Sequence, residues 1–259
     1  MNHRTVGFIG GGRITRIILE GWKRAGAWPE KIVVSDCNTQ ILDELKTGFP
    51  GIETVTSNST AAAGQAIVLL AVHPPLMAEA TVGLKESLKP ETIVVSLAPK
   101  ITLQKLAQLL GGFERVVRVI PNAPSLINCG FNPVAFSPAL TAEDRAQIRL
   151  LLSPLGESPE VPEEDLEAYA VITAMGPTYF WFQLQALREV ALGLGLPNDK
   201  IGPALESMVF GAMKTLLTSG LTPPEVMNLI PVKPLAEMEP QLRELYLTRL
   251  PAIHNKIKP

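Results

Sequence analysis

The sequence predicts a doubly wound α/β domain followed by an all-helical domain. Continuous apolar runs at residues 67–72, 93–97 and 116–120 are typical of strands that are covered on both faces, as in a parallel sheet. Helical patterns separate these runs, and such alternation favours a doubly wound sheet. Beyond about Pro154, strand signals nearly vanish and helical periodicity takes over.

The first half of the chain alternates strands and helices from its start. Residues Thr5–Ile9 predict the first strand, and the apolar spacing of residues 14–24 predicts a helix with one buried face. The same patterns predict a second strand at residues 32–35 and further helices at residues 39–45, 76–88 and 103–110.

An acidic, proline-containing stretch at residues 156–167 marks the predicted boundary between a domain at 1–155 and a domain at 156–259. Helical periodicity follows at residues 166–174, 179–194, 203–219 and 235–250. Residues 179–194 are apolar almost all round, which is typical of a buried helix. A helical domain this small buries such a helix best against a second copy, so we expect a homodimer.

Composition excludes several functional classes. The net charge is −2 and no basic cluster is present, so a nucleic-acid surface is not expected. No apolar run is long enough to span a bilayer, and the segment before Thr5 is too short for a secretory signal. Two distant cysteines, Cys37 and Cys129, favour a reduced, cytoplasmic protein. No metal site is expected, because no metal-type spacing links the cysteines and no local cluster includes the histidines His3, His73 and His254.

A glycine-rich turn joins the first strand to the first helix. In this context a Gly-x-Gly sequence is typical of dinucleotide binding. Gly10 permits the tight turn, Gly12 lets a pyrophosphate approach the backbone, and the helix start near Arg13 offers free N–H groups. The third position of the motif is Thr15, and the alternative is an ordinary strand-to-helix turn. The predicted cofactor-binding residues of this turn are Gly10, Gly11, Gly12, Arg13 and Ile14.

Asp36 ends the second strand and bears on the choice of cofactor. A carboxylate there accepts hydrogen bonds from the adenosine ribose and repels a 2′-phosphate, so it favours NAD over NADP. Arg13 would supply positive charge near the phosphates and complicates this choice. The alternative is that Asp36 caps the next helix.

Other turns follow the predicted strands at the carboxyl edge of the sheet, where ligands of open α/β sheets bind. The predicted cofactor contacts of one such turn are Ala71, Val72, His73 and Pro74. His73 is equally compatible with a solvated loop residue.

Three residues are candidates for catalysis. Asn122 lies in a proline-bracketed turn, and its amide suits a carboxamide or an imine, although a turn that bonds to itself is the alternative. Thr178 and Tyr179 open the apolar helix, whose free N–H groups suit a substrate carboxylate. Tyr179 either faces a cleft or packs.

These stretches together resemble the pyrroline-5-carboxylate reductase family, and the resemblance extends to about Met227. It rests on VGFIGGGRITRIILEGW, VLLAVHPP, RVVRVIPNAPSLINCG and AMGPTYFWFQLQALREVALGLGLP. It implies a Rossmann-type domain, an interlocked helical dimer or higher oligomer, and hydride transfer from NAD(P)H to the C=N carbon of a cyclic imino acid, giving proline. It also implies that Asn58 lies near the adenosine end of the cofactor.

The chain departs from the family mainly in the substrate half. The family's Ser-Pro-Gly-Gly-Thr-Thr loop, which helps to hold the substrate carboxylate, reads Ile-Pro-Val-Lys-Pro-Leu at residues 230–235. Proline has no N–H to donate, and Lys233 would replace the lost donors as a point charge. The family's Ala-Gly after the fifth strand becomes Pro99-Lys100, and its Ser-Gly-Ser-Gly-Pro-Ala-Tyr becomes residues 173–179.

Three hypotheses follow. The first is an NAD(P)H-dependent reductase that acts on pyrroline-5-carboxylate or on a related imine or keto acid. The second is a dinucleotide-binding regulatory protein that has lost this catalysis. The third is a structural dimer that binds no nucleotide.

Overall fold

The computed structural model describes residues 5–259, so the segment before Thr5, with His3, lies outside the described residues. The chain forms two compact units. The first runs to Met175 and also includes Ile253–Pro259, and the second is Gly176–Ala252. The domain boundary between residues 155 and 156 stays a prediction, because compact units of one chain need not coincide with its domains.

A seven-stranded sheet forms the centre of the first unit, in the order β3-β2-β1-β4-β5-β6-β8. All neighbours are parallel except β6 and β8, which are antiparallel. The strands are β1 (Thr5–Ile9), β2 (Lys31–Asp36), β3 (Glu53–Thr56), β4 (Ile67–Leu70), β5 (Ile93–Ser96), β6 (Val116–Val119) and β8 (Val134–Phe136), and a separate pair is formed by β7 (Gly130–Phe131) and β9 (Gly156–Glu157). The strand order reverses between β1 and β4, which is where ligands of such sheets bind.

Helices flank this sheet. The α-helices of the first unit are α1 (Arg13–Arg24), α2 (Thr39–Gly48), α3 (Ser59–Ala63), α4 (Met77–Ala80), α5 (Leu103–Leu109), α6 (Ala142–Leu152) and α7 (Leu166–Tyr169). Short 3-10 turns lie at Pro74–Leu76, Leu84–Glu86, Ala123–Ile127, Ser153–Leu155 and Glu163–Asp165, and a π-helical turn at Ala170–Ala174 continues α7.

The core of the first unit is built from apolar strands and the apolar faces of helices. Strands β4 and β5 are buried along their whole length. On α1, Ile18, Leu19 and Trp22 are fully buried, and the indole N–H of Trp22 donates to the Leu151 carbonyl at 3.0 Å. The predicted doubly wound sheet is therefore confirmed, along with its first two helices.

Some elements differ from the predictions. The predicted helix at 76–88 is wrong as one helix: it is broken into 3-10 turns around α4, where Gly83 takes a left-handed φ of 73°. Strands β3 and β8 and helices α3 and α6 were not predicted, and β3 and β8 are too short to give a periodic pattern. The start of α6 carries a readable signal, because Thr141 and Asp144 form a capping box.

The second unit is helical, as predicted. Its helices are α8 (Pro177–Gly193), α9 (Asn198–Thr218), α10 (Pro223–Met227) and α11 (Glu239–Ile257), the end of which belongs to the first unit, and a 3-10 turn lies at Ala236–Met238. Helix α9 begins before the predicted residue 203, and Pro203 lies inside it. Within the described part of the chain, no helix has the length and apolar character needed to cross a membrane.

The predicted burial of residues 179–194 against a second copy stays a prediction, because the structure describes a single chain. Helix α8 has no buried residue, and Trp181, Phe182 and Val190 are each more than half exposed. The second unit offers these side chains too little apolar surface of its own to cover them.

Candidate functional site

A cavity of about 810 Å³ lies in the first unit, at the carboxyl edge of the sheet where the strand order reverses. Its volume is in the range of pockets that bind small molecules and cofactors. The predicted cofactor residues that line it are Gly10, Gly12, Arg13, Ile14, Asp36, Ala71, Val72, His73 and Pro74. The structure therefore brings most of the predicted cofactor residues to one cavity.

Two glycines of the turn after β1 are needed for different physical reasons. Gly10 has a left-handed φ of 104°, and a Cβ atom there would lie 2.6 Å from the Ala71 carbonyl oxygen. A Cβ atom on Gly12 would meet nothing within 4 Å, although Gly12 lines the cavity. Gly10 is thus required by the fold, whereas Gly12 leaves open space for a ligand.

The N-terminus of α1 is free of internal caps. Gly12 is its N-cap, no side chain caps it, and its first turn contains no acidic residue. Arg13, at the first helical position, also lines the cavity. Unpaired N–H groups, the positive end of the helix dipole and a guanidinium therefore lie together, and this arrangement suits a phosphate.

Asp36 organises the adjacent end of the cavity. Its Oδ2 accepts the Gly11 N–H at 2.7 Å, and its Oδ1 accepts the Asn38 N–H at 2.8 Å. The side-chain cap of α2 is Asn38, which accepts the N–H groups of Gln40 and Ile41. Asp36 therefore holds the glycine turn in place and is also a lining residue of the cavity.

Asn58 and His73 differ in their relation to the cavity. The Asn58 side chain caps α3, and its neighbours Ser57 and Ser59 line the cavity while Asn58 does not. His73 lines the cavity, is exposed, and precedes the 3-10 turn that begins at Pro74.

Asn122 is buried beside the cavity and does not line it. Its Nδ2 donates to the Thr173 carbonyl at 3.2 Å, and its Oδ1 accepts the Phe131 N–H at 3.1 Å. The amide thus joins the turn after β6 to the π-helical turn, whose Ala174 lines the cavity. This geometry favours a positioning role over direct contact with a ligand.

A buried ion network, which sequence reasoning missed, supports the end of the cavity away from the glycine turn. The Arg118 side chain on β6 is fully buried and pairs with Glu163 at 3.0 Å and with Glu167. Glu163 accepts the Leu103 N–H at 2.6 Å, and Glu167 accepts the Lys100 N–H at 2.9 Å. The sequence did contain a sign of this network, because an arginine inside an apolar strand requires carboxylates buried beside it.

This end of the cavity is apolar. Sequence reasoning also missed its lining residues, which are Leu97, Ala98, Pro99, Ile120, Pro121, Ala170, Ala174 and Met175. They follow β5 and β6, or they lie in or directly after the π-helical turn, an irregularity that is frequent at functional sites. Small and apolar groups exclude water without fixing a polar ligand.

The other predicted site residues lie in the second unit. Thr178 and Tyr179 form the first turn of α8, and the Tyr179 ring meets the Tyr246 ring edge to face at 5.9 Å. Burial raises the pKa of the Tyr179 phenol, and its interaction with Tyr246 raises that pKa further. The loop at residues 230–235 is exposed.

Among residues 5–259, no group of three or more His, Cys, Asp or Glu side chains is arranged to hold a metal ion.

Comparisons with known proteins place this geometry in a family. Residues 5–100 match the family model described as NADP oxidoreductase, coenzyme F420-dependent. A pyrroline-5-carboxylate reductase of Corynebacterium melassecola is 30% identical over 225 residues, covering 86% of this chain and 83% of that protein. One of Haemophilus influenzae is 31% identical over 219 residues, covering 83% and 79%.

Solved structures of pyrroline-5-carboxylate reductases have a similar fold. A pyrroline-5-carboxylate reductase from Coxiella burnetii superposes with a TM-score of 0.74 at 26% identity, covering 99% of this chain and 98% of that one. A pyrroline carboxylate reductase from Plasmodium falciparum, solved with NADP bound, gives a TM-score of 0.82 at 18% identity, with coverage of 100% and 98%. Sequence identity over most of both chains, together with the shared fold, shows that the chain belongs to the pyrroline-5-carboxylate reductase family.

Proposed function

We propose that the protein is an NAD(P)H-dependent reductase that delivers hydride to the C=N carbon of a cyclic imino acid, with pyrroline-5-carboxylate as the leading substrate and proline as the product. The observation that carries the proposal is the cavity at the reversal of strand order, with the uncapped α1 terminus at one end and an apolar wall at the other. The names of the relatives supply the substrate class.

The residues present fit a dinucleotide. When bound, the reduced nicotinamide supplies the hydride, and the protein supplies position and surroundings. The backbone at Gly12 and the N–H groups of α1 bind the pyrophosphate, and Arg13 adds positive charge. The apolar wall around Pro99 and Pro121 excludes water from the reacting carbon.

The other predicted residues take supporting roles in this proposal. His73 borders the nicotinamide end of the cavity, and Asn58 orders the chain near the adenosine through its cap on α3. Asn122 holds the turn after β6 against the π-helical turn. Thr178 and Tyr179 border the substrate at the start of α8.

We also propose a preference for NADH over NADPH. The Asp36 carboxylate lines the cavity, and the next two residues, Cys37 and Asn38, bring no positive charge. A 2′-phosphate near this carboxylate would be repelled, whereas ribose hydroxyls would donate to it.

We further propose that the protein forms a homodimer through the second unit. The proposed location is the cytoplasm. Large apolar side chains along α8 and α9 are exposed in the single chain, and contiguous apolar surface of this kind marks an interaction site. Because both helices come from the unit that lacks its own core, a second copy is the partner we propose.

The first experiment compares NADH and NADPH oxidation by the purified protein in the presence of pyrroline-5-carboxylate. We expect turnover with both cofactors and a higher kcat/KM with NADH. Asp36→Asn removes the charge and keeps one acceptor oxygen, which can take the Gly11 N–H while the Asn38 N–H loses its partner. The NADPH-to-NADH ratio of kcat/KM is expected to rise about tenfold. An unchanged ratio would contradict the role of Asp36.

A specific observation favours a second candidate function. The exposed loop at residues 230–235 contains two prolines and neither glycine of the family's carboxylate-binding loop. Tight NADH binding without turnover on a panel of imines and 2-oxo acids would support a regulatory dinucleotide-binding protein. Absence of nucleotide binding would leave a structural dimer.

A further inference from the structure

The apolar end of the cavity has no charged group of its own to receive an anionic substrate. The ionisable residues that line the cavity are Arg13, Asp36, Cys37, His73 and Glu79, and they follow β1, β2 and β4. The walls that follow β5 and β6 are uncharged. A carboxylate placed beside an apolar wall needs a cation or several N–H donors close by, because desolvating it alone is costly.

Lys100 is the positively charged residue that comes directly after the lining residues Leu97, Ala98 and Pro99 in the chain. It comes one residue after Pro99, which lines the cavity, and its side chain is exposed. It lies at the carboxyl edge of the sheet, in the loop between β5 and α5. An exposed lysine next to a lining residue offers a charge without the cost of burying it.

The backbone of Lys100 is strained. Its φ is 75°, in the left-handed region that favours glycine. A lysine there costs conformational energy that glycine would avoid. Such strain persists where surrounding contacts enforce it, and it concentrates at functional sites.

The contacts that enforce this conformation are present and buried. The Lys100 N–H donates to Glu167 at 2.9 Å, and Glu167 is itself buried and paired with the fully buried Arg118. The same arginine pairs with Glu163, which accepts the N–H of Leu103 at the start of α5, where the loop ends. The loop that carries Lys100 is therefore fixed at two points by one ion network.

We infer that Lys100 is a specificity-determining residue that binds the carboxylate of the substrate, and that the Arg118–Glu167 pair positions it. This inference rests on the proposed function, because it assigns the carboxylate of a cyclic imino acid to a place in that site.

The decisive variant is Lys100→Gly, because glycine accepts the left-handed backbone and leaves the hydrogen bond to Glu167 intact. We expect KM for pyrroline-5-carboxylate to rise about tenfold with little change in kcat, since one charge-assisted contact is lost. With 1-pyrroline, which is the same ring without the carboxylate, kcat/KM is expected to stay within about twofold of the wild-type value. Lys100→Gln should show the same rise in KM for pyrroline-5-carboxylate and the same small change with 1-pyrroline.

A matched control is Lys105→Gln, which removes the same charge from an exposed residue of α5. It should leave both substrates unaffected. An unchanged KM for pyrroline-5-carboxylate in Lys100→Gly overturns the inference. Equal losses on both substrates also overturn it, because they would show a structural role.

A failure of the proposed function is distinguishable from a failure of the inference. If the wild type reduces neither substrate, the reductase proposal fails, and calorimetric titration of the NAD⁺-loaded protein with L-proline decides the role of Lys100. A dissociation constant about tenfold weaker in Lys100→Gly supports carboxylate binding. An equal constant, or no binding to the wild type, overturns it.

Discussion

The two units bury their apolar residues very differently. In the first unit, the sheet and its helices form a continuous core in which side chains such as Phe8, Trp22 and Leu69 are fully covered. In the second unit, Ile201 is the buried hydrophobic side chain among the described residues, while Phe182 and Phe210 are more than half exposed. The first unit covers its apolar side chains within the chain, whereas the second leaves many of them exposed.

This difference teaches where each unit obtains its stability. A sheet with helices on both faces covers its own apolar surface within one chain. The long helices α8 and α9 expose apolar surface that a stable soluble protein covers by association. The first unit should therefore be stable independently of protein concentration, and the second should depend on a partner copy.

The largest effect is expected from a charge in the exposed apolar surface of the second unit. Phe182→Glu puts a carboxylate on both copies where we propose that they pack, so the dissociation constant of the dimer should rise about a thousandfold. Sedimentation velocity over a range of concentrations measures this shift.

Leu150→Glu is the matched control. Leu150 is 55% exposed and Phe182 is 66% exposed, but Leu150 lies on α6 in the first unit. Its variant should keep the wild-type association. Equal association of Phe182→Glu and the wild type would contradict a dimer through α8.

The sequence predicts those features of the fold and the site that depend on patterns of residues close together in the chain. The glycine turn, the buried strands and the carboxyl edge of the sheet follow from patterns within a few residues, and Gly10, Gly12 and Asp36, which such patterns single out, line one cavity. The helical character of the second unit also follows from local periodicity.

The rest depends on contacts between residues that are distant in the chain. Arg118 and Glu167 are 49 residues apart, and no local pattern pairs them. The Asn122 side chain has the donor and acceptor groups of a ligand contact, but in the structure its amide forms hydrogen bonds with the backbone of Thr173 and Phe131. The exposure of α8 also escapes local reasoning, because periodicity shows that a helix is apolar and not which chain covers it.

A second prediction separates fold from ligand binding within the first unit. Gly10→Ala places a Cβ atom against the Ala71 carbonyl at a left-handed φ, so the free energy of unfolding should fall by about 2–4 kcal/mol. Gly12→Asp meets open space and should leave the melting temperature unchanged. Its carboxylate would instead repel a pyrophosphate and weaken NADH binding about a hundredfold.

Thermal unfolding and NADH fluorescence titration read the two effects separately. Gly48→Ala serves as a control, because a Cβ atom there meets nothing within 4 Å and Gly48 does not line the cavity. It should change neither quantity strongly. Wild-type NADH affinity in Gly12→Asp would refute the assignment of the glycine turn.

The smallest expected effect concerns an ion pair that is internal to the first unit. Burial alone would raise the pKa of the Asp144 carboxyl, but the Thr141 N–H and the Arg115 guanidinium outweigh burial and hold the pKa below its usual 3.8. A group with a lowered folded-state pKa stabilises the protein above its unfolded pKa, and this stability is lost as pH falls through the folded value.

Asp144→Asn should therefore cost about 1 kcal/mol at pH 7, and this cost should shrink as the pH falls through the lowered folded-state pKa, where the wild-type carboxyl takes up its proton. Urea unfolding followed by tryptophan fluorescence, to which the buried Trp22 of the first unit contributes, measures this difference at each pH. Because Asp144, Thr141 and Arg115 belong to one chain, the difference should not change with protein concentration. A concentration-dependent difference would mean that the first unit also depends on a second copy, and the contrast between the two units would then fail.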